Sequence, residues 1–385
     1  MSLMEIVIND CSILRTIVEQ KPRDWCTARG DTFSSSEIGR IKSMQNLMRR
    51  WELSAFNRDG LSLEQVPVPI VGPDEVLVRV NAVALNYRDQ DVIAGRMGEF
   101  NLPITIGSDM SGTVVEVGKS VEKFAVGNRV ISTFFPDWKD GRPLGSGRHP
   151  NYQSLGGHYP GVLSEYVSFP ATWLTKGPST LDEVGASTLP CAGLTAWYAL
   201  VELGRVEKGQ TVLIEGTGGV AIFGAQIAKA KGATVILVSG SDEKLERAKA
   251  LGLTDFLINR TREDWVGKVY DITSDRGVDH VLEIVGGPHL AKALEAVAPG
   301  GRISMIGVLE GGQLSASAGP LLLKGPVIQG IAVGHYRAQE ELVRAIDELQ
   351  IKPIIDARYG LADLQKALDH LTRGAFGKIV VDFSL

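Results

Sequence analysis

A glycine-rich turn between an apolar strand pattern and a helical pattern constrains this chain more than any other feature. The β-branched run at 211–214 predicts a strand, and the pattern at 220–231 predicts a helix. Between them, Gly216 permits a sharp turn, Gly218 lets the backbone approach a ligand, and Ala221 is small enough for close helix–strand packing. This order of strand, turn and helix predicts a binding site for the pyrophosphate of a dinucleotide.

The segments after the turn support that interpretation. Apolar runs at 233–238, 256–259, 280–285 and 302–308 predict further strands, with helical segments between them. This alternation is typical of a doubly wound parallel sheet, the Rossmann fold of the α/β class. The helix N-terminus, at Gly219 and Val220, is then expected to bind the phosphates with its free N–H groups and partial positive charge.

The end of the second strand of this sheet indicates which dinucleotide is bound. Folds that prefer NAD carry an Asp or Glu there for the ribose 2′-hydroxyl. Here the strand ends at Ser239 and Ser241, which can donate hydrogen bonds to a 2′-phosphate, and Lys244 follows one helical turn later. We therefore expect NADP (NADPH). Two points count against it: the acidic pair Asp242 and Glu243, which opens the next helix, would repel a phosphate, and the residues at this helix start could serve only to cap the helix.

The chain outside this region predicts a second domain in two pieces. Strand patterns at 75–84, 112–117, 129–133 and 164–169 precede the sheet, and a long polar loop rich in aromatics spans 134–161. A helical pattern covers 181–203, a strand 327–333, helices 338–349 and 361–373, and a last strand 378–383. We expect an N-terminal extension at 1–48 with a short helix at 36–49, a catalytic domain at 49–183 and 335–385, and a cofactor domain at 184–334.

Composition narrows the class of protein. Hydrophobic residues make up 44% and charged residues 22% of the 385 positions, as in an ordinary enzyme, and the net charge of −5 argues against nucleic-acid or anionic-membrane binding. No apolar run is long enough to span a bilayer. Three cysteines, Cys11, Cys26 and Cys191, give no disulfide framework, and Glu5 and Asp10 stand where a secretory signal would be basic, so we expect a cytoplasmic protein.

Four segments together resemble the medium-chain dehydrogenase/reductase superfamily. They are VGPDEVLVRV (71–80), LNYRD (85–89), GSDMSGTVV (107–115) with GNRV (127–130), and LPCAGLTAW (189–197). The resemblance covers about 51–385. It implies a GroES-like β-rich catalytic domain joined to the Rossmann domain.

The resemblance also bears on zinc. Members that depend on zinc hold it with a Cys, a His and a Cys, but Asn86 and Ser108 stand at the first two positions and only Cys191 is kept. The four-cysteine structural lobe is missing, and His149 and His158 have no cysteine partner. We expect no metal ligands, which places the chain near the zinc-independent branch with quinone oxidoreductases and enone reductases.

By the same resemblance, Asn86 and Tyr87 are the expected substrate-facing groups, with Tyr87 as a hydrogen-bond or proton donor. Asp89 joins them as a catalytic candidate, although Arg88 and Asp89 could equally form a structural ion pair. Cys191 is expected to be a packed small residue and not a nucleophile.

The remaining expected cofactor contacts also follow from the resemblance. Thr195 should lie near the nicotinamide ribose or pyrophosphate, and Lys378 near the phosphates, unless it is only a strand-edge lysine. Backbone at two successive strand ends should border the nicotinamide, at Gly307, Val308 and Gly334.

The expected function is an NADPH-dependent, zinc-independent oxidoreductase that transfers hydride to a quinone, an enone or an aldehyde. One alternative is an NAD(P)-dependent alcohol dehydrogenase; another is a non-catalytic NADPH-binding protein with a structural or RNA-associated role. The resemblance implies a homodimer joined through the last strand of the cofactor domain, where the apolar run at 321–323 could also be buried within the monomer. Aromatic residues on the long loop hint at an apolar substrate: Phe134, Phe135, Trp138 and Tyr152.

Overall fold

Three β-sheets organise the part of the chain that the structure, a computed structural model, describes: residues 47–98 and 101–385. Its residues from Met48 to Leu385 form one unit. The strands are β1 (Leu47–Leu53), β2 (Leu61–Pro67), β3 (Glu75–Ala84), β4 (Ile104–Thr105), β5 (Asp109–Val117), β6 (Arg129–Ser132), β7 (Tyr166–Pro170), β8 (Leu174–Lys176), β9 (Thr211–Glu215), β10 (Thr234–Ser239), β11 (Phe256–Asn259), β12 (Val278–Glu283), β13 (Val297–Met305), β14 (Val327–Gly330), β15 (Ile355–Tyr359) and β16 (Lys378–Asp382).

Helices cover both faces of one sheet and pack against the strands of another. They are α1 (Tyr87–Ile93), α2 (Glu183–Ala186), α3 (Leu194–Trp197), α4 (Gly219–Ala230), α5 (Asp242–Ala250), α6 (Trp265–Thr273), α7 (His289–Ala296), α8 (Ala318–Lys324), α9 (Tyr336–Leu349) and α10 (Leu364–Arg373). Short 3₁₀ segments lie at Arg58–Gly60, Ala171–Trp173 and Leu361–Asp363, and π-helical segments flank α3 at Leu189–Gly193 and Tyr198–Glu202. None of the helices in the described ranges is long and apolar enough to cross a membrane.

The predicted doubly wound sheet is confirmed. Six parallel strands run in the order β11-β10-β9-β12-β13-β14. All five residues of β9 are buried, because helices cover both faces of the sheet and leave no solvated side. The strand order reverses between β9 and β12, and ligands bind in the crevice at such a point, beyond the carboxyl ends of the strands.

The β-rich part forms a second sheet of seven strands. The order is β15-β16-β3-β5-β6-β8, with β7 also paired to β3, and a separate small sheet runs β2-β1-β4. The last strand of the chain pairs with the first strand of this sheet, Val380 lying opposite Ala84. This return of the C-terminal segment, expected from the sequence, brings the start of β16 beside the residues that follow β3.

Several predicted boundaries need correction. The helix expected at 36–49 lies outside the described residues up to position 46. At positions 47–49 the prediction is wrong, because β1 begins at Leu47. Pairing of Glu52 with Thr105 and burial of Met48, Trp51 and Leu53 override the local helical pattern. The strand expected to reach position 308 ends at Met305, and the one expected to reach 333 ends at Gly330.

Candidate active site

The glycine turn forms an open cradle at the carboxyl end of β9. Gly216 has φ +86°, a conformation that residues with a Cβ rarely adopt. A Cβ added to Gly218 would meet nothing within 4 Å, so the space above the turn is free. The 12-residue helix α4 begins at the next residue and points its free N–H groups into this space. The turn therefore fits the pyrophosphate of a nicotinamide dinucleotide.

The start of β16 lies directly on this turn. Gly218 and Gly377 form an isolated β-bridge, and the Gly377 N–H donates to the Thr217 carbonyl at 2.9 Å. Gly377 has φ +81°, and a Cβ there would come within 2.4 Å of the Ile354 carbonyl oxygen. Glycine is therefore required at this crossing, which places Lys378 between the glycine turn and β3.

Lys378 joins the glycine turn to the turn before α1. Its Nζ donates to the Leu85 carbonyl and to Asn86 Oδ1, each at 2.6 Å. The side chain is 4% exposed, and its Cδ lies 2.6 Å from the place where a Cβ on Gly219 would stand. The strand-edge alternative for this lysine is therefore wrong, because its ammonium group is buried between the two segments that were expected to hold cofactor and substrate.

A chain of hydrogen bonds continues from Asn86 into the protein. Its Nδ2 lies 3.5 Å from Ser108 Oγ, which donates to Asp109 Oδ1 at 2.6 Å. The other oxygen of Asp109 accepts from the Cys191 N–H at 2.9 Å. Burial raises the pKa of Asp109, and the Lys378 ammonium opposes that rise. The resemblance assigns Asn86, Ser108 and Cys191 to the zinc-ligand positions of zinc-dependent members, and in this structure these residues belong to a hydrogen-bonded network with one cation.

This network does not fit a catalytic zinc ion. Such an ion needs three protein ligands, usually including thiolate or imidazole. Of the three positions that the resemblance assigns to zinc ligands, only Cys191 carries a thiol or imidazole group, and the Lys378 ammonium already occupies the Asn86 oxygen. In the described ranges, no group of three or more His, Cys, Asp or Glu side chains could hold a metal ion.

Asp89 lies beneath the turn and holds its shape. Its Oδ2 accepts from the Asn86 N–H at 2.8 Å, and Oδ1 lies 3.6 Å from Arg88 Nη1, so the ion pair that the sequence left open is present. Asp89 is completely buried, and desolvation raises its pKa to about 6 although Arg88 lowers it. Tyr87, by contrast, is 49% exposed at the start of α1.

The residues that were expected to contact the 2′ end of the cofactor lie close together at the end of β10. Ser239 Oγ accepts from the Ser241 N–H, and Ser241 Oγ accepts from the Lys244 N–H, both at 3.3 Å. Ser241 therefore caps α5, as the alternative interpretation expected. Lys244 Nζ donates to the Gly374 carbonyl at 2.9 Å and so reaches toward the C-terminal segment.

Sequence reasoning missed a cation at this place. Arg260 follows β11, and its Nε lies 3.8 Å from the position that a Cβ on Gly240 would take. Its Nη1 lies 3.2 Å from His289 Nε2 and donates to Glu310 Oε1 at 3.1 Å. His289 Nδ1 lies 2.6 Å from Oε2 of the buried Glu215. Because β10 and β11 are parallel neighbours, their ends meet at one edge, and that rule could have pointed to Arg260.

Thr195, which was expected near the nicotinamide ribose or pyrophosphate, is buried in α3 at 3% exposure.

The backbone positions expected beside the nicotinamide are only partly at strand ends. A Cβ on Gly307 would come within 1.8 Å of the Ile284 carbonyl oxygen, so this glycine permits close approach of two strand-end segments, and Val308 beside it is 61% exposed.

Gly334 is not at a strand end. β14 stops at Gly330, and a Cβ on Gly334 would lie 3.1 Å from both Leu194 Cγ and Tyr198 Cγ. This glycine therefore allows close packing of the segment after β14 on the helical segment that contains Thr195.

The long loop is irregular, as predicted, and its aromatic side chains are used in two ways. Phe134, Phe135 and Trp138 are buried, at 1%, 7% and 7% exposure, and pack on their own part of the fold. Tyr152 is 40% exposed. A cavity of about 780 Å³ lies between the loop and β14, and Asn151 and Gln153 are among its lining residues.

Comparisons with known proteins agree with this architecture. The alcohol dehydrogenase GroES-like domain family matches residues 72–179, and the zinc-binding dehydrogenase family matches residues 219–350. A zinc-type alcohol dehydrogenase-like protein of Schizosaccharomyces pombe is 36% identical over 86% of this chain and 96% of its own. An acryloyl-coenzyme A reductase of Sulfurisphaera tokodaii is 30% identical over 84% of this chain and 97% of its own.

A solved structure extends the similarity to three dimensions. A protein from Sinorhizobium meliloti, provisionally described as an alcohol dehydrogenase, is 56% identical, with a TM-score of 0.86 over 88% of this chain and 99% of its own. Together with the glycine cradle and the sheet order, these similarities show that the chain is an NAD(P)-dependent oxidoreductase that belongs to the medium-chain dehydrogenase/reductase superfamily.

Proposed function

We propose that this protein is an NADPH-dependent, zinc-independent reductase whose substrate is a quinone, an enone or an aldehyde. The observation that carries the proposal is the lysine that joins the two turns: Lys378 lies against the glycine cradle and donates to Asn86 Oδ1. A bound nicotinamide would supply the hydride. The residues of the chain then have to orient a carbonyl group and stabilise the charge that develops on its oxygen.

Asn86 is suited to that task. Because its Oδ1 accepts from Lys378, its Nδ2 is the end left to donate. The contact of Nδ2 with Ser108 Oγ is long, at 3.5 Å, so the amide retains a donor for a substrate oxygen. The buried Lys378 ammonium polarises the same amide, which strengthens this donor in a site of low dielectric constant. Tyr87, exposed beside it, is our candidate for a further polar contact at the mouth of the site.

We infer the preference for NADPH from the edge formed by β10 and β11. No carboxylate follows β10 directly, two serines and Lys244 lie there, and the Arg260 guanidinium approaches Gly240 from the neighbouring strand. A guanidinium binds phosphate through paired N–H donors. Arg260 would exchange its contact with Glu310 for the 2′-phosphate.

Substitution of Arg260 tests the preference. We expect Arg260→Gln to weaken NADPH binding by about tenfold or more and to leave NADH binding nearly unchanged, since one charge-assisted contact contributes about 1.5–3 kcal/mol. Arg262→Gln is the matched control, because Arg262 is 71% exposed and pairs with Asp242. Equal losses for both cofactors, or none, would contradict the assignment of Arg260.

Metal analysis combined with a fluorescence titration tests the wider proposal. We expect protein without stoichiometric zinc to bind NADPH more tightly than NADH and to reduce at least one quinone, enone or aldehyde. Stoichiometric zinc, or tighter binding of NADH, would overturn the metal or the cofactor assignment. Alcohol oxidation is the second candidate activity, because similar proteins are described as alcohol dehydrogenases.

The exposed edge of the six-stranded sheet supports a homodimer. All four residues of β14 are exposed, and Leu321, Leu322 and Leu323 on α8 are 40%, 79% and 88% exposed, so their burial within the monomer is not observed. An exposed strand edge beside apolar side chains favours association with a second copy.

We also propose that the six-stranded sheet marks the cofactor domain (184–334) and that the seven-stranded sheet marks the catalytic domain (49–183 and 335–385). We propose further that the few cysteines reflect a cytoplasmic location.

A further inference from the structure

A second tyrosine lies beside the candidate site, on the long loop. The ring of Tyr152 packs edge-on against Phe135, with centroids 5.1 Å apart, and against Phe134 at 6.2 Å. The guanidinium carbon of Arg88 lies 5.2 Å from the centroid of the Phe134 ring. Phe134 therefore contacts both Tyr152 and Arg88, and Arg88 belongs to the turn that carries Asn86.

Arg88 holds the loop on that turn around Tyr152. Asn151 and Gln153 line the cavity on the β14 side, and Tyr152 between them packs its ring on Phe134 and Phe135. Ser154 Oγ accepts from Arg88 Nη2 at 3.1 Å. Arg88 also donates to the Leu155 and Gly156 carbonyls, which fixes the loop on the turn.

The hydroxyl of Tyr152 is free to act. In residues 47–98 and 101–385 it makes no hydrogen bond, whereas the Tyr159 hydroxyl on the same loop donates to Asp137 Oδ2 at 2.5 Å. Desolvation raises the pKa of Tyr152 to about 12, and Arg88, Cys191 and Asp89 are among the groups whose charges act on it. The phenol is therefore a neutral O–H donor at physiological pH.

We propose that Tyr152 is the proton donor of the reaction, an assignment that rests on the proposed reductase function. A bound reduced nicotinamide would supply the hydride, to the carbonyl carbon or to the β-carbon of an enone, and would itself be oxidised, while the π electron pair of the substrate moves to its oxygen. That oxygen takes the proton of the Tyr152 hydroxyl, and the enol formed from an enone tautomerises to the ketone. The phenolate regains a proton from water at its exposed edge. Asn86 holds the oxygen, Tyr152 protonates it, and Arg88 positions the loop that carries Tyr152.

The test compares Tyr152→Phe with the wild-type protein. The probes are phenanthrenequinone, 2-cyclohexenone and benzaldehyde with NADPH, and the probe that the wild-type protein reduces fastest is used throughout. We expect Tyr152→Phe to lower kcat by about 10²-fold or more, as for loss of a general acid. NADPH affinity should be unchanged, and the solvent deuterium isotope effect on kcat should differ from that of the wild type. Because the hydroxyl has no partner in the described structure, we expect Tm to stay within about 2 °C.

Two further variants make the outcome decisive. Tyr159→Phe is the matched control on the same loop and should retain wild-type kcat. Tyr87→Phe separates the two tyrosines near Asn86. A kcat for Tyr152→Phe within twofold of the wild type, or a loss confined to Tyr87→Phe, would overturn the assignment and leave the reductase function standing. Absence of turnover by the wild-type protein with all three probes would instead count against the proposed function itself.

Discussion

The ammonium group of Lys378 and the side-chain oxygen of Asn86 are 2.6 Å apart, although 292 positions separate the two residues along the chain. Lys378 begins the last strand, and Asn86 precedes the first helix after β3. The contact exists because β16 pairs with β3 and Gly377 crosses the glycine turn. It couples the orientation of a substrate-facing amide to the turn that is expected to hold the cofactor phosphates.

A double-mutant cycle should measure this coupling. We expect Lys378→Met and Asn86→Leu each to lower the free energy of unfolding, because each leaves a buried polar group without its partner. The double variant should lose less than the sum of the two, with a coupling energy of about 1.5–3 kcal/mol from denaturant titration. Additive losses would mean that the contact contributes little to stability.

The neighbouring glycines should respond differently to the same small change. Gly218→Ala places a methyl group in open space, so the protein should keep its stability but bind NADPH at least tenfold more weakly, since the methyl occupies the phosphate cradle. Gly219→Ala places its methyl 2.6 Å from Lys378 Cδ and 3.2 Å from Ala192 Cβ. It should displace the lysine and lower stability by about 1–3 kcal/mol. Thermal unfolding and NADPH titration distinguish the two, and equal behaviour would contradict the geometry.

Periodicity and turn chemistry predicted most of the fold. The run at 256–259 and the pattern at 75–84 became β11 and β3 without change, because the apolar residues that define each strand are consecutive or alternate in the local sequence. β1 was missed at 47–49 because its strand conformation depends on distant pairing: Arg50 bridges Ser164, and the Glu165 N–H donates to the Arg49 carbonyl. Tertiary pairing of this kind leaves no local signal.

The candidate site was predictable where a motif fixes the backbone, and less so where distant elements meet. The glycine turn and the turn at Asn86 follow from short motifs. Arg260 and Tyr152 reach the site only through the neighbouring strand β11 and the irregular loop, and no periodicity marks them. The burial of Lys378 depends likewise on the crossing at Gly377.

Arg88 should control the order of the long loop. Arg88→Met removes three hydrogen bonds, to Ser154 Oγ and to the Leu155 and Gly156 carbonyls. We expect amide hydrogen exchange at 151–157 to become at least tenfold faster and kcat to fall, because the loop loses its attachment to the turn.

A second tether of the same loop supplies the control. Lys139 Nζ donates to the Thr172 carbonyl at 2.6 Å, away from Arg88. Lys139→Met should leave exchange at 151–157 near the wild-type rate. Faster exchange in both variants would show that the whole loop depends on either tether and would contradict a local role for Arg88.

The exposed leucines of α8 should decide the oligomeric state. Leu322 and Leu323 are 79% and 88% exposed in the monomer, and their burial would stabilise a dimer by the hydrophobic effect. We expect the wild-type protein to sediment as a dimer and Leu322→Glu to sediment as a monomer with unchanged circular dichroism. Leu385→Glu, at the exposed C-terminal residue, should remain dimeric. A monomeric wild-type protein would contradict the prediction.

Asp89 should give stability a pH dependence of known sign. Its pKa rises from 3.8 to about 6 on folding because burial disfavours the charged carboxylate. The folded state therefore binds this proton more tightly than the unfolded state, and unfolding releases it between pH 4 and pH 6. The carboxyl group contributes most favourably below pH 4, and that contribution is lost as pH rises through about 6. Since one pKa unit corresponds to about 1.4 kcal/mol, the loss is ~3 kcal/mol.

Asp89→Asn isolates this effect from the other buried carboxyl groups, Asp109, Glu215 and Glu283, whose pKa values burial also raises. The asparagine can still accept from the Asn86 N–H, but it does not titrate. We expect the free energy of unfolding of the wild type, minus that of the variant, to fall as pH rises from 4 to 7 in urea titrations. A difference that rises over this range would mean that Arg88 holds Asp89 ionised in the folded protein and that the ion pair outweighs desolvation.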